Sequence, residues 1–252
     1  MMKGNRKTVT KTKIIDVRKI EKVFTLHERN SIQVTGFSDV SFSVNRGELL
    51  ALTGVSGVGK SSILKAIYRT YLVNAGEILF YRSDKSVVDL ATCGESRILQ
   101  LRKREIGFVT QFLKVLPRIS ALQAVAAPLV ETGVAEQESL CQAAKLLNML
   151  GIREELFNIS PLTFSGGEQQ RVNIARGVIA PKDLILLDEP TASLDEQSSE
   201  RVLTLLADMK EKGIALIGIF HDRKKIERVA DKTYEISRKN TDKSFQDIRE
   251  VA

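Results

Sequence analysis

Hydrophobic and polar positions alternate in the first part of the chain, which is the pattern of half-buried β-strands. The alternation is loose over 14–24 and clean over 39–44, and a further strand is expected at 77–81. The mostly apolar segment 48–53 predicts a short buried strand. The apolar spacing that follows it predicts a helix over 61–68.

The apolar spacing becomes helical between about 89 and 159, where Pro117 and Pro128 interrupt it. Two continuous apolar runs follow, 184–187 and 214–220, and such runs are typical of strands buried on both faces of a parallel sheet. We therefore expect an α/β protein. The predicted organisation is a basic flexible tail over 1–13, one domain over 14–237 with a helical subdomain inserted at about 89–165, and a polar C-terminal tail over 238–252.

Composition narrows this picture only slightly. The 252 residues are 43% hydrophobic and 27% charged, which is ordinary for a globular protein. A net charge of +7 suits anionic ligands, nucleic acid or an acidic partner, and equally a solvated basic surface. We expect no signal peptide and no membrane span, since the Lys-rich start lacks an apolar core and no apolar run approaches ~18 residues. Cys93 and Cys141 are far apart in the sequence, which is typical of ordinary thiols in a reducing compartment. His27 and His221 alone do not make a metal cluster.

The clearest chemistry lies in a glycine-rich segment between a predicted strand and a predicted helix. The pattern G-x-x-x-x-G-K-[ST] is matched in full by Gly54, Val55, Ser56, Gly57, Val58, Gly59, Lys60 and Ser61. Glycines lack a Cβ, so the backbone N–H groups can wrap around an anion. Lys60 supplies a positive charge for phosphates, and Ser61 supplies a hydroxyl for Mg²⁺. Ser61 and Ser62 open a helix whose N-terminus attracts negative charge, which a plain glycine turn would not provide.

A second glycine-bearing helix start lies at 164–171. Ser165 and Glu168 form an S-x-x-E capping box around Gly166 and Gly167. The first N–H groups of such a helix make it a second candidate anion site. A capping box alone is equally compatible with an ordinary helix start.

Carboxylates and a histidine follow the two late apolar runs. Asp188 and Glu189 end the first run, and His221 ends the second. Ligands of parallel sheets bind beyond the carboxyl ends of the strands, so these side chains are expected at one edge. There Asp188 can hold the Mg²⁺ shell, and Glu189 can orient or deprotonate a water. A lone histidine at a strand end is usually a surface residue, but the shared edge adds His221 to the site.

These segments, in this order, resemble the ATP-binding-cassette (ABC) ATPases over about 14–231. The resemblance implies an ABC nucleotide-binding domain, with a RecA-like P-loop core, an antiparallel β subdomain and a helical subdomain. It implies ATP and Mg²⁺ as cofactors and Glu189 as the catalytic glutamate. His221 then corresponds to the switch histidine, and Gln111 to the glutamine that touches Mg²⁺ and senses the γ-phosphate.

The same resemblance assigns three further segments. Phe24 takes the place of the aromatic residue that stacks on adenine. Residues 164–169 correspond to the signature motif, which reads FSGGEQ because Phe164 replaces the usual leucine. Residues 193–195, ending at Asp195, correspond to the D-loop. The γ-phosphate site is then completed by a second cassette, either an identical chain or a related one.

Several runs between the motifs are similar to the PhnL-type ATPase of the carbon–phosphorus (C–P) lyase system. These runs are 111–122, 163–177 and 218–222, together with 189–195, which is common across the superfamily. The resemblance implies an ATPase subunit in phosphonate metabolism, with C–P lyase core subunits as partners. It implies a part in forming ribose 1-methylphosphonate 5-triphosphate from methylphosphonate and a nucleoside triphosphate.

Two other functions share the same motifs. One is the ATP-binding subunit of a membrane transporter of the lipoprotein or peptide exporter type, in which a separate permease contains the membrane part. The other is a nucleic-acid-binding ABC protein, suggested only by the positive charge. It is disfavoured because no long coiled coil or zinc insert separates Lys60 from Asp188. The segment 111–122 favours the phosphonate function, and a cytoplasmic location is expected.

Overall fold

The computed structural model describes residues 12–26, 32–236 and 248–250. Within them the strands are β1 (Lys13–Leu26), β2 (Ile32–Asn45), β3 (Leu49–Thr53), β4 (Ala75–Tyr81), β5 (Val87–Asp89), β6 (Ile106–Val109), β7 (Leu184–Asp188), β8 (Ala215–Ile219), β9 (Lys232–Glu235) and β10 (Ile248–Glu250). The helices are α1 (Lys60–Ile67), α2 (Glu95–Arg104), α3 (Ala121–Thr132), α4 (Glu136–Met149), α5 (Gly166–Val178), α6 (Glu196–Glu211) and α7 (Arg223–Val229). Two short 3₁₀ turns occur at Glu154–Leu156 and Pro161–Thr163.

The strands form two sheets. An antiparallel sheet has the order β2-β1-β4-β5, and β1 pairs with β2 from end to end. The other sheet has the order β10-β9-β3-β8-β7-β6. Its strands β9, β3, β8, β7 and β6 are parallel, and β10 is antiparallel to β9. The carboxyl ends of β3, β8, β7 and β6 therefore lie side by side along one edge, where ligands of such sheets bind.

The parallel sheet separates two hydrophobic cores, because successive side chains of a strand point to opposite faces. In β3, Leu50 and Leu52 join a core that includes α1, α2 and the antiparallel sheet. Leu49 and Ala51 of the same strand join a core built mainly from α3, α4, α5, α6 and α7. Both faces are buried, which explains why the strands of this sheet appear in the sequence as continuous apolar runs.

Most predicted elements are present with shifted ends. The strands expected at 14–24, 39–44, 48–53 and 77–81 are β1, β2, β3 and β4, and the two late apolar runs are β7 and β8. β2 begins well before 39, at Ile32. The helix expected at 61–68 is α1, which begins one residue earlier.

The segment 89–165 differs from the purely helical insert that we expected. It contains α2, α3 and α4 but also β6, which pairs with β7 in the parallel sheet. A strand of four residues is too short for its periodicity to be distinguished from a helical turn. The domain boundaries themselves remain predictions.

Helices α6 and α7 and strands β5, β9 and β10 were not predicted. The signal for α6 was available, because Val202, Leu206 and Met209 are buried at helical spacing. The predicted tails fall largely outside the described residues. Of 1–13, Thr12 and Lys13 are described, and Lys13 begins β1; of 238–252, only β10 is described. Across the described ranges, no helix has both the length and the apolar character needed to cross a bilayer.

Candidate nucleotide site

The glycine-rich loop joins the carboxyl end of β3 to the N-terminus of α1, and two of its glycines are required by close packing. Gly54 and Gly59 have φ angles of 130° and 101°. A Cβ on Gly59 would lie 2.1 Å from the carbonyl oxygen of Gly36, and a Cβ on Gly54 would lie 2.3 Å from that of Ile236. Any other residue would clash with a backbone that cannot yield easily, so the loop conformation depends on glycine.

The middle of this loop is exposed to solvent, whereas Val58 near its end is buried. Val58 is buried in the core, whereas Val55, Ser56 and Gly57 are exposed. Ser61 and Ser62 follow in the first turn of α1 and are half-buried. An anion can therefore approach the middle of the loop and the helix N-terminus from outside.

Lys60 is the first residue of α1, and its side chain folds back over the loop. Its Nζ donates to the carbonyl oxygens of Gly54 and Val55, at 2.7 and 3.0 Å. Burial lowers the pKa of Lys60, and the nearby carboxylates of Glu189 and Asp188 oppose this shift. The ammonium thus has neutral hydrogen-bond partners in a poorly solvated position, where a bound phosphate would stabilise its charge.

Asp188, at the end of β7, lies against the start of α1. The Ser61 hydroxyl donates to its carboxylate oxygen over 2.8 Å. Burial raises the pKa of Asp188, and the hydrogen bond from Ser61 partly opposes this shift. A hydroxyl and a carboxylate side by side at the phosphate loop are the oxygen donors that Mg²⁺ prefers, so these two residues fit a Mg²⁺ ion.

Glu189 is in contact with both other residues that were predicted to be catalytic. Nε2 of His221 is 2.6 Å from one carboxylate oxygen, and the Gln111 amide donates to the other over 3.2 Å. These three side chains follow the carboxyl ends of β7, β8 and β6. Glu189 has a φ of 54°, a strained conformation for a residue with a side chain, and such strain is concentrated at functional sites.

The predicted signature residues form a complete cap at the start of α5. The Ser165 hydroxyl accepts from the Glu168 N–H, and the Glu168 carboxylate accepts from the N–H and the hydroxyl of Ser165. These hydrogen bonds lower the pKa of Glu168. A Cβ on Gly167 would lie 3.1 Å from the Ser193 carbonyl oxygen, so the helix start packs against the 191–195 loop. In the described chain, no hydrogen bond joins 165–168 to 54–62.

Phe24 lies close to the phosphate loop but makes its own contacts. Its ring lies against Gly36, whose carbonyl oxygen approaches Gly59, and it packs edge-on against the Tyr71 ring with centroids 5.2 Å apart. The Nζ of Lys22 is 5.2 Å from the ring centroid. Contact with adenine therefore remains a prediction, supported by the position of the ring beside the loop.

Asp195 has a clear local role. It is the N-cap of α6, and its carboxylate accepts from the N–H and the hydroxyl of Ser198. These bonds lower the pKa of Asp195. A contact with nucleotide across a cassette interface stays a prediction.

Two residues that hold the site together were missed in the sequence. Gln170 donates its side-chain N–H to the Pro190 carbonyl over 3.3 Å, and Asn173 donates to the Thr110 carbonyl over 2.5 Å. Both residues lie on helix α5, and their hydrogen bonds hold the loop that carries Glu189 and the segment that carries Gln111. The available signal was a pair of amides three residues apart on the apolar face of a helix, where buried polar groups need partners.

Comparisons with known proteins bear on the family and the fold of this chain. A family model described as ABC transporter matches residues 37–192. An uncharacterized ABC transporter ATP-binding protein of Thermotoga maritima is 34% identical over 206 residues, which cover 82% of this chain and 86% of that protein. The lipoprotein-releasing system ATP-binding protein LolD of Idiomarina loihiensis is 36% identical over 191 residues, covering 75% of this chain and 81% of LolD. The macrolide export ATP-binding/permease protein MacB of Haemophilus ducreyi is 34% identical, but the match spans only 29% of MacB.

Solved structures share the fold. The dimeric structure of MJ0796, described as a bacterial ABC transporter cassette, has a TM-score of 0.79 and 26% identity, and covers 88% of this chain and 94% of that one. A dimeric post-hydrolysis state of the ATP-binding cassette MJ0796 bound to ADP and Pi has a TM-score of 0.80 and 24% identity, and covers 92% and 98%. The fold class expected from the sequence is confirmed.

Proposed function

Because the chain belongs to the ABC transporter family of ATP-binding proteins, we propose that it is a cassette subunit that binds ATP with Mg²⁺ and hydrolyses it. The single observation that supports this most strongly is the convergence at one sheet edge. Ser61 with Asp188, and Glu189 with Gln111 and His221, meet beside the phosphate loop. Each pair or trio joins segments far apart in the chain, so only the fold assembles them.

Each residue has a distinct task in this proposal. Lys60 exchanges its backbone carbonyl partners for phosphate oxygens and neutralises their charge. Ser61 and Asp188 would hold Mg²⁺, which would offset the charge of the outer phosphates. Glu189 orients the attacking water and accepts its proton. His221 and Gln111 hold the Glu189 carboxylate in position and stand beside the transferring group.

The site as a whole needs a second cassette. The N-terminus of α5 has no hydrogen bond to the phosphate loop of its own chain within the described ranges, yet it is built as an anion site. We propose that it completes the γ-phosphate site of a partner cassette. The dimeric MJ0796 structures support this arrangement. The partner is either a second copy or a related ATPase.

Nucleotide binding by variants tests this function. We expect Lys60→Ala to weaken ATP binding at least tenfold, the scale of one lost hydrogen bond from a charged group, and to abolish turnover. Lys145→Ala, on the exposed side of α4, is the matched control and should behave as the unmodified protein. Unchanged ATP affinity in Lys60→Ala would exclude the assigned loop.

For the work that ATP drives, we propose coupling to a membrane permease. Two of the relatives named above are a lipoprotein-releasing and a macrolide export protein, and they favour the transporter interpretation over the phosphonate one. A groove of about 770 Å³ supports a docking role. It lies between the segment after Gln111 and helices α3 and α4, and its lining is mainly apolar, with Leu116, Ile119, Val130 and Leu140 among its residues.

The groove is suited to a partner that must sense nucleotide. Phe112 directly follows Gln111, which touches Glu189, and Leu116 lies in the same short segment; both side chains are exposed. Lys114 and Arg176 at the groove can pair with acidic groups of the partner. A partner helix docked here would respond to any movement of the 111–116 segment. If the partner is a permease, the protein works in the cytoplasm at a membrane surface.

The phosphonate function remains a second candidate, and one observation favours it. The run 111–122, which forms one wall of this groove, is among the runs that resemble the PhnL-type ATPase. In that case the groove docks a C–P lyase subunit instead of a permease. The protein would then be a subunit of the system that forms ribose 1-methylphosphonate 5-triphosphate.

Two measurements separate these candidates. Purification of the tagged protein in ATP should recover a membrane permease under the transporter proposal, and phosphonate-pathway proteins under the other. Deletion of the gene should leave growth on methylphosphonate as sole phosphorus source unaffected under the first proposal and abolish it under the second. The variant Leu116→Asp should release the partner in either case, while Leu162→Asp, equally apolar but outside the groove, should not.

A further inference from the structure

A second cavity, of about 300 Å³, lies against β6 between α2, α3 and α5. Its lining is strongly basic. The cationic residues are Arg102, Lys103, Lys114, Arg176 and Lys182. Glu131 is the single carboxylate among the described residues that line it.

These cations are not compensated by acidic partners. In the part of the chain that the structure describes, none of the five is in an ion pair. Three of them donate to backbone carbonyls instead. Arg102 donates to Tyr68, Arg176 to Lys114, and Lys182 to both Arg102 and Lys103, at 2.9, 2.5, 2.8 and 2.5 Å. Several positive charges therefore share a confined space with neutral partners.

The lack of acidic partners affects the pKa of Lys182. Burial lowers its pKa to about 8, and Glu131 and Glu105 only partly oppose the shift. A bound anion would stabilise the ammonium and remove this penalty.

Part of the cavity lining is aromatic and lies beside Arg102. The rings of Tyr68 and Phe108 pack with centroids 5.1 Å apart, and both residues line the cavity. The Arg102 guanidinium lies 4.5 Å from the Tyr68 ring centroid, a cation–π arrangement that holds it in place. The cavity thus combines a fixed guanidinium, an amine and an apolar surface.

We propose that this cavity binds a small organic phosphate, with its phosphate group on Arg102, Lys182 and Lys114 and its organic part against Tyr68 and Phe108. Guanidinium and ammonium groups form strong, charge-assisted hydrogen bonds with phosphate oxygens. The volume suits a small molecule of this class rather than a protein segment.

The cavity is connected to the nucleotide site through the segment after β6. Asn173 lines the cavity and donates to the Thr110 carbonyl, next to Gln111. Arg176, another lining residue, holds the Lys114 carbonyl on the other side of Gln111. A ligand that draws Lys114 toward its phosphate would shift the Gln111 segment and change the rate of ATP hydrolysis. This regulatory step rests on the proposed ATPase function, whereas ligand binding does not.

Calorimetric titration of the Lys60→Ala protein with phenyl phosphate tests the binding, because that substitution removes the lysine of the phosphate loop. We expect saturable binding of phenyl phosphate, weaker binding of inorganic phosphate, which lacks the ring, and no binding of phenol, which lacks the charge. Adding Lys182→Gln should weaken phenyl phosphate binding at least tenfold, the scale of one lost charge-assisted hydrogen bond.

Lys182 also holds the end of α2, so a second variant is needed. Lys114→Gln changes an exposed side chain and should weaken binding similarly, while Lys145→Gln on α4 should leave it unchanged. The proposal is overturned if the Lys60→Ala protein binds no phenyl phosphate, or if Lys182→Gln and Lys114→Gln bind it as tightly as Lys145→Gln does. In the unmodified protein, phenyl phosphate should alter kcat for ATP, and a failure of hydrolysis itself would count against the proposed function alone.

Discussion

At the scale of single residues, the site depends on polar groups held in places that cost stability. Asp188 is a buried carboxylate with a raised pKa, Lys60 is a buried ammonium with a lowered pKa, and Glu189 has a positive φ. Each feature is unfavourable in the absence of ligand. Substrate phosphates and Mg²⁺ would compensate the two charges, so the cost is tied to function.

The carboxylate of Glu189 is the group whose removal should separate binding from chemistry. Glu189→Gln keeps the shape of the side chain but lacks the proton acceptor. We expect hydrolysis to fall by ~10²–10⁴, the contribution of a positioned general base, with ATP affinity largely retained. Steady-state phosphate release and nucleotide binding measure the two effects. Glu196→Gln, on the exposed first turn of α6, is the control; hydrolysis by Glu189→Gln at the control rate would assign the water to another group.

The buried carboxylate of Asp188 should lower the stability of the protein without metal, although metal binding requires it. Its folded-state pKa lies above the unfolded value, so its contribution is most favourable at low pH and is lost as pH rises through the folded pKa. At pH 7 without nucleotide or metal, we expect Asp188→Asn to melt a few degrees higher and to lose Mg²⁺-dependent ATP binding.

The stability advantage of Asp188→Asn should shrink as pH falls toward the ordinary range of an aspartate pKa. Thermal unfolding in a chelator, across several pH values, measures this change. Asp208→Asn removes an exposed carboxylate from α6 and should change little. A lower melting temperature for Asp188→Asn than for this control would contradict the argument.

At the scale of elements, α5 links the site to the rest of the domain. Its N-terminus carries the capping box of Ser165 and Glu168. Its buried face carries Gln170 and Asn173, which hold the carbonyls of Pro190 and Thr110. One helix therefore orients both the loop after β7 and the segment after β6.

Two helices of this chain have complete capping boxes, which allows a matched comparison. Ser165 caps α5 with Glu168, and Ser120 caps α3 with Gln123. Either serine-to-alanine change should cost about 1 kcal/mol of unfolding free energy, measured in urea. Only Ser165→Ala should also lower ATP-dependent dimerisation and hydrolysis by the isolated protein, because only that cap would contact phosphate. Equal activities of the two variants would leave the α5 cap with a structural role alone.

At the scale of the whole molecule, the antiparallel and parallel sheets share a hydrophobic core, and specific polar and aromatic contacts also join them. Tyr234 on β9 is fully buried, and its hydroxyl accepts a hydrogen bond from the Ser41 N–H of β2 over 3.0 Å. Its ring packs against Phe42 with centroids 5.1 Å apart. Arg46, just after β2, pairs with Asp183 before β7. These contacts keep β2, and with it Gly36 and Phe24, beside the phosphate loop.

The contact between Tyr234 and β2 predicts a loss of stability when the tyrosine hydroxyl is removed. Tyr234→Phe keeps the ring and removes the hydroxyl that binds β2, so we expect a loss of about 1 kcal/mol in unfolding free energy. ATP affinity should also fall, because the contact between Tyr234 and β2 also helps to keep Phe24 beside the phosphate loop. Tyr81→Phe on β4 removes the same atoms from a half-buried ring and is the control. Equal stability of the two variants would mean that the hydroxyl of Tyr234 adds nothing to the packing of its ring.

The local pattern of residues was sufficient to predict the phosphate loop, the ends of β7 and β8 and the α5 cap. A phosphate loop needs glycines, a lysine and a hydroxyl at fixed spacing within eight residues, so its chemistry is legible without the fold. Apolar runs identified the buried strands because both faces of the parallel sheet are covered. The rule that ligands bind at the carboxyl edge of such a sheet placed Asp188 at that edge, and the structure shows it in contact with Ser61.

Only the tertiary structure decided which distant residues support that edge. β6 is a strand because β7 offers it a partner, and nothing in its four residues distinguishes it locally. Gln170, Asn173 and the basic cavity around Lys182 likewise have meaning only through neighbours far away in the chain. The spacing of residues within one segment determines chemistry that uses the backbone of that segment, as in the phosphate loop. Contacts between segments depend on strand order and packing, and the chain acquires these only when it folds.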